Sequence, residues 1–205
     1  MEDSMDIKDY ITSNVRMENI SVYGLENSIR VAKFPMSTDT RQLDYSLTER
    51  QASLGSCIAG TGHDCFLKGI IVQFDLTLPQ YIWQQMKRYG HFDIVSSQST
   101  MHKITKMNIS ENCTREVDKR VIKILEELIV DYNKETDIPW KNEQFRKIVA
   151  NIPSGLMLTA GISTNYLQLK TIRKQRLTHK MEEWHDICYI IDSLPKFKEL
   201  VLGGE

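Results

Sequence analysis

Residues 70–79 read IIVQFDLTLP. Ile70, Val72, Phe74, Leu76 and Leu78 fall on one side of an extended chain, and Gln73, Asp75 and Thr77 fall on the other. That period of two is the pattern of a strand with one face in a core. Pro79 ends the run where a helix can begin, because the missing N–H of proline costs nothing in a first helical turn. QYIWQQMKRY, residues 80–89, then predicts a helix of about ten residues that stops at Gly90.

On the upstream side, residues 36–62 are polar and carry glycines, with a helix expected across 46–56. IRVAKF, residues 29–34, suits either a helix end or a strand. Downstream, REVDKRVIKILEELIVDYNK (115–134) places Val117, Val121, Leu125, Leu128 and Tyr132 at helical spacing, with a charged outer face. NEQFRKIVANI (142–152) predicts a second helix capped by Asn142 and halted before Pro153. GLMLTAGIS (155–163) reads as a strand. Thr164 is placed to cap a helix running to about Arg176. A last helix over 182–194 turns Trp184, Ile187, Cys188 and Ile191 inward and ends at Pro195. Strands interspersed with helices give an α/β (α+β) fold, read as a single domain over residues 1–205.

The bulk composition narrows the function. With 26 basic and 27 acidic residues the formal charge is −1, so no global field recruits nucleic acid or a membrane surface. An anion site must be local. No apolar run approaches the roughly 20 residues of a bilayer span, and the acidic start MEDSMDIKDY lacks the apolar stretch of a secretion signal. Cys57, Cys65, Cys113 and Cys188 show no CxxC spacing, which suits reduced thiols in a cytoplasmic protein. Nothing in the His and Cys spacing points to a metal.

Donor groups concentrate in QMKRYGHFDIVSSQSTMH, residues 85–102. It reads as a solvated loop or as a site for a phosphorylated ligand. Gln85 and Arg88 lie three apart near a helix end, where a cation also offsets the macrodipole. Ser96, Ser97, Ser99 and Thr100 resemble an anion-cradling loop without the glycines of a P-loop. His63 follows Gly-Thr-Gly ahead of the strand and, like His91 and His102, reads equally as an ordinary loop histidine. Asn165, Leu169, Ile172 and Arg176 share one helical face, the outer two roughly 16 Å apart. Arg176 therefore either snorkels to solvent or needs an acceptor from a ligand or a neighbour.

The order of these blocks resembles the flavin-dependent thymidylate synthases (ThyX-like proteins) over about residues 28–195. SIRVAK, GHD, IIVQFDLTLP and QQMKR follow in sequence, His63 lies sixteen residues before Pro79, and Pro79 lies six before Gln85. Ile152-Pro153, Asn165 and Arg176 then match the family's later Leu-Pro, Asn and Arg. The resemblance implies a central, mainly antiparallel sheet flanked by helices. It also implies FAD as cofactor, with NADPH and methylenetetrahydrofolate as co-substrates, and a cytoplasmic homotetramer without nucleic-acid or membrane partners. The implied reaction is one-carbon transfer to C5 of dUMP or a related pyrimidine deoxynucleotide.

By the same resemblance, His63, Arg88 and Asn165 line the flavin pocket. Gln85, Ser97, Ser99 and His102 lie near the nucleotide. Arg176 binds and polarises the pyrimidine. The family's Arg-His-Arg is here Arg88-Tyr89-Gly90, and its Asn-Glu is Ser96-Ser97 if one residue is inserted. Two phosphate-site arginines become Met101 and Val149. Those departures leave an alternative expectation, a catalytically altered or inactive relative that keeps the scaffold as a flavin- or nucleotide-binding module.

Overall fold

The computed structural model describes residues 7–58 and 60–203; the first six residues of the acidic start, Ala59 in the polar 36–62 stretch and the last two residues lie outside the described residues. In chain order the elements are β1 (Tyr10–Ile11), β2 (Arg16–Tyr23), α1 (Leu25–Val31), α2 (Glu49–Ser56), β3 (Ile71–Pro79) and α3 (Gln80–Met86), followed by β4 (Phe92–Ser97) and α4 (Thr100–Lys103). Then come α5 (Lys119–Lys134), α6 (Ile138–Ala150), β5 (Met157–Asn165), α7 (Tyr166–Arg176), α8 (Glu182–Ser193) and α9 (Phe197–Val201). The strands form one sheet in the order β1-β2-β3-β5-β4, and every neighbouring pair is antiparallel. This is the expected α+β architecture.

β3 sits at the centre, paired with β2 on one side and β5 on the other. Its alternation is clean because one face is wholly covered: Ile70, Val72, Phe74, Leu76 and Leu78 are all buried. On the other face Gln73 is exposed, while the buried Thr77 exchanges a hydroxyl hydrogen bond with Thr159 across the sheet at 2.7 Å. The main core lies beneath the apolar face, where Tyr166, Trp184 and Phe197 pack against the strand residues. A smaller core joins Ile104, Ile109, Leu125, Ile129, Ile148 and Leu156, and Leu158 touches both.

The structure corrects several local expectations. α3 closes at Met86, and residues 92–97 form edge strand β4 rather than loop. β4 escapes a periodicity reading because only Phe92 is buried, while Ile94 and Val95 are 37% and 69% exposed. Asp137 caps α6 by accepting from the Trp140 amide, five residues before the expected Asn142, since Pro139 suits a first turn. On α5 the buried stripe runs through Leu125 and Ile129, while Val121 is 39% exposed. α8 buries Trp184, Ile187, Cys188 and Ile191 as its pattern requires. All four cysteines are free thiols.

Candidate functional site

Three helices and a turn build the most chemically distinctive corner of the molecule. Arg176 closes α7, and Gln85 lies near the end of α3. Tyr89 stands in the turn that follows α3, and Trp184 projects from the first turns of α8. The Arg176 Nε donates to the Tyr89 hydroxyl at 2.8 Å, and its Nη1 donates to Gln85 Oε1 at 3.1 Å. The guanidinium lies 4.3 Å from the Trp184 ring centre and 5.6 Å from that of Tyr89. Trp184 and Tyr89 meet edge to face.

Gln85 is fully committed in this arrangement. Its Oε1 also accepts from Trp184 Nε1 at 3.2 Å, and its amide nitrogen reaches the Tyr81 carbonyl at 3.4 Å. The residue expected beside a substrate therefore acts first as a holder of Arg176. Among the described residues no carboxylate pairs with Arg176. Two of its N–H groups are taken by neutral acceptors and the others are free. A half-buried cation fixed in orientation and left without a counter-ion is suited to an anionic or carbonyl-bearing ligand.

Positive charge gathers around it. The His179 imidazole packs edge to face on Trp184, and partial burial, then the charges of Arg176, Lys180 and His185, hold its pKa below the ordinary histidine value. Beneath the corner, Tyr81 donates to the buried carboxylate of Glu183, which also accepts from Asn14 at 3.1 Å. Burial and that carboxylate push the Tyr81 phenol well above its ordinary pKa, so it stays a donor.

The other candidate residues are dispersed. Asn165, not Thr164, caps α7 by accepting from the Gln168 amide at 2.9 Å, and so its side-chain oxygen is engaged at the helix start, at the far end of α7 from Arg176. Thr164 instead donates to the His91 carbonyl. His63 and Arg88 are exposed and hydrogen-bond neither to each other nor to Asn165 or Arg176. They also belong to different sides of α7. Next to His63, Asp64 holds Lys170, while the turn after Arg88 reaches Gln168 through the His91 amide. Lys170 and Gln168 differ by about 200° around the helix.

Ser97 and Ser99 line a cleft of about 430 Å³ between α3 and the β4–α4 corner. His102 is tied to Ser99 through Nδ1 at 2.8 Å. This cleft opens on the α3 face that carries Gln80, Gln84 and Lys87, whereas Gln85 points to Arg176 from the opposite face. Between Ile94 and Ser96 the pairing of β4 with β5 slips: Ile94 faces Ile162, Ser96 faces Gly161, and Val95 has no partner. That slip is a bulge in edge strand β4, with one extra residue opposite β5.

No protein-family model matches the chain, and no curated protein matches it in sequence. Solved structures do. A crystal structure of flavin-dependent thymidylate synthase ThyX from Helicobacter pylori, complexed with FAD and dUMP, aligns with a TM-score of 0.64 at 12% identity, covering 89% of this chain and 95% of that one. A second ThyX structure from the same organism, also with FAD and dUMP, gives 0.66 at 14% identity over 92% and 98%. The fold is ThyX-like. At this identity the likeness to ThyX carries the fold alone.

Sequence reading did not find the immediate supports of Arg176. Trp184 carries the helical spacing of a core residue, which it also is. Tyr89, which the sequence resemblance sets at a family histidine, reads as a loss until its hydroxyl is seen against Arg176. Among the described residues no group of three His, Cys, Asp or Glu side chains is placed to hold a metal, and no helix is long and apolar enough to cross a membrane.

Proposed function

We propose that the chain is a flavin-dependent enzyme of thymidylate synthase type, which transfers a one-carbon unit from methylenetetrahydrofolate to C5 of a pyrimidine deoxynucleotide, dUMP or a close relative. The observation that carries this reading is the uncompensated Arg176, held on Trp184 by Gln85 and Tyr89 with N–H groups to spare. Its free donors would bind a pyrimidine carbonyl and stabilise the negative charge that develops there as C5 becomes nucleophilic. Because Gln85 and Tyr89 already orient the fork, little reorganisation is left for the reaction itself.

FAD, when bound, would pass reducing electrons from NADPH to bring the transferred carbon to the methyl level. The cavity near residues 33–51, the cleft between α3 and the β4–α4 corner and the groove on the open sheet face are not lined by His63, Arg88 or Asn165, which supports a flavin pocket completed by a second copy. The reading therefore includes a homotetramer, with His63 of one copy facing Arg88 of another across a shared pocket. Light scattering at micromolar concentration tests it, and a strict monomer removes the flavin site.

The assay is tritium release from C5 of dUMP with methylenetetrahydrofolate, NADPH and FAD. Arg176→Ala should lower turnover by about 10²–10³-fold, the cost of removing one preorganised donor to developing charge. Arg176→Lys should also be poor, since a point charge does not reproduce a planar fork. Wild-type turnover unchanged by Arg176→Ala refutes the assignment.

A second reading is favoured by one observation. Tyr89 and Met101 stand where the family uses a histidine and an arginine; the first is engaged with Arg176 and the second is a 57% exposed apolar side chain. A colourless protein without measurable FAD affinity would make the chain a nucleotide-binding relative that does no flavin chemistry.

A further inference from the structure

We propose, resting on the pyrimidine reading of the Arg176 corner, that the Tyr89 hydroxyl is itself a ligand donor. With Arg176 it makes the corner select a ring that carries an oxo group at C4 over one that carries an amino group there. A phenol oxygen accepts and donates at once. Tyr89 accepts from Arg176 Nε at 2.8 Å, and among the described residues its own O–H has no acceptor. The side chain is half-buried, so that proton is within reach of a bound molecule.

Nη2 shares one edge of the planar guanidinium with Nε. An acceptor bonded to Nη2 therefore lies beside the oxygen that Nε holds, where the phenol proton can meet it. Nη1 faces Gln85, and Nη2 has no partner among the described residues. Two donors thus converge on one place, one from a cation and one from a neutral hydroxyl.

The side chains of the corner keep no acceptor in reserve. Gln85 Oε1 already takes Arg176 Nη1 at 3.1 Å and Trp184 Nε1 at 3.2 Å, which uses both lone pairs. His179 accepts the Met181 amide through Nδ1 at 3.2 Å, so the neutral ring carries its proton on Nε2 and is a donor too. Glu183 is buried and engaged by Tyr81 and Asn14. A carbonyl oxygen satisfies such a set. An amino group meets only other donors and leaves them unpaired. In a pyrimidine the carbonyl attached to C5 is the one at C4, so the oxygen that gathers charge as C5 becomes nucleophilic is the one these donors inspect.

Nucleotide binding rather than turnover tests this, by isothermal titration of the full chain, with FAD present, against dUMP and dCMP. The proteins compared are wild type, Tyr89→Phe and a chain with difluorotyrosine in place of Tyr89. Phenylalanine keeps a ring against Trp184, and thermal unfolding checks that the variant is folded. Wild type should bind dUMP at least about tenfold more tightly than dCMP. Tyr89→Phe should weaken dUMP by about three- to tenfold and dCMP by less, so that the preference narrows. A fluorinated phenol ionises at lower pH than tyrosine. Its oxygen then grips Arg176 more strongly but no longer donates, so a donor role and a purely positioning role have opposite signs. Affinity for dUMP should fall as the fluorinated phenol ionises, over a pH range where wild type is unchanged. The proposal is overturned if affinity holds or rises there, if Tyr89→Phe binds dUMP as wild type does, if wild type does not prefer dUMP, or if it binds neither nucleotide. A Tyr89-dependent preference for dUMP in a protein without methyl transfer would keep the donor and discard the catalytic reading. Arg176-dependent methyl transfer that Tyr89→Phe leaves untouched would do the reverse.

Discussion

Three of the four cations on α7 are held in three different ways. Lys170 is buried and fully paired: its ammonium meets the Asp64 carboxylate and the carbonyls of Gly55 and Cys57, each at 2.7 Å. Arg173 is partly buried and gripped at two points by Asp192. Arg176, one turn further, has only neutral acceptors and an indole. A cation with a carboxylate has its field spent within the fold. One held by amide and hydroxyl oxygens keeps its field for something outside.

The comparison breaks first at Lys170. Replacing one member of a buried pair leaves the other charge stranded, at a cost of about 3–5 kcal/mol. Lys170→Met should lose that much in denaturant unfolding, and the double change Lys170→Met with Asp64→Leu should recover most of it. If Lys170→Met unfolds like wild type, the pair is not what ties the His63 turn to α7. Arg173→Leu should cost less, about 1–3 kcal/mol, because Asp192 is near enough to solvent to be partly rehydrated.

Arg176 should be the least structural of the three. Its truncation forfeits a stacking contact of about 0.5–1 kcal/mol. Gln85 keeps its hydrogen bond from Trp184, and the half-buried Tyr89 hydroxyl can turn to water. Arg176→Ala should therefore unfold within about 1 kcal/mol of wild type while losing turnover. A loss as large as that of Lys170→Met would make Arg176 a fold residue and remove the contrast.

The legibility of the chain follows the same division between what is buried and what is held. β3, β5 and α8 were readable because each has one face wholly in the core, so their apolar periods are complete. β4 was not, since an edge strand with a bulge and two exposed aliphatics has no period to read. Arg176 was readable as a residue in need of an acceptor. Which acceptor it takes was not, because Gln85 and Tyr89 are about ninety residues away and approach only through the packing of α3 on α7 and α8. Asn165 is the converse case. Its spacing to Arg176 matched a resembled site, yet its side-chain oxygen is engaged in capping a helix, a use that local sequence already favours.

The smallest expected effect probes the field itself. His179 packs on the same indole as Arg176, and its pKa is lowered first by partial burial and then by the Arg176 charge. A lowered histidine means that the folded state takes up its proton at lower pH than the unfolded chain does. The residue then costs no stability above the unfolded value, about 6.5, and folding weakens as pH falls below it, until the folded histidine is also protonated. Removing the arginine charge should let the His179 pKa rise toward the ordinary value, and the weakening below pH 6.5 should shrink with it. NMR titration of the imidazole in wild type and Arg176→Ala reads this directly. Lys180 and His185 remain in both proteins, so the change isolates Arg176. A titration that does not move would mean that solvent already screens the guanidinium's field at the neighbouring imidazole, and that its pull on a substrate carbonyl at the same corner is correspondingly weak.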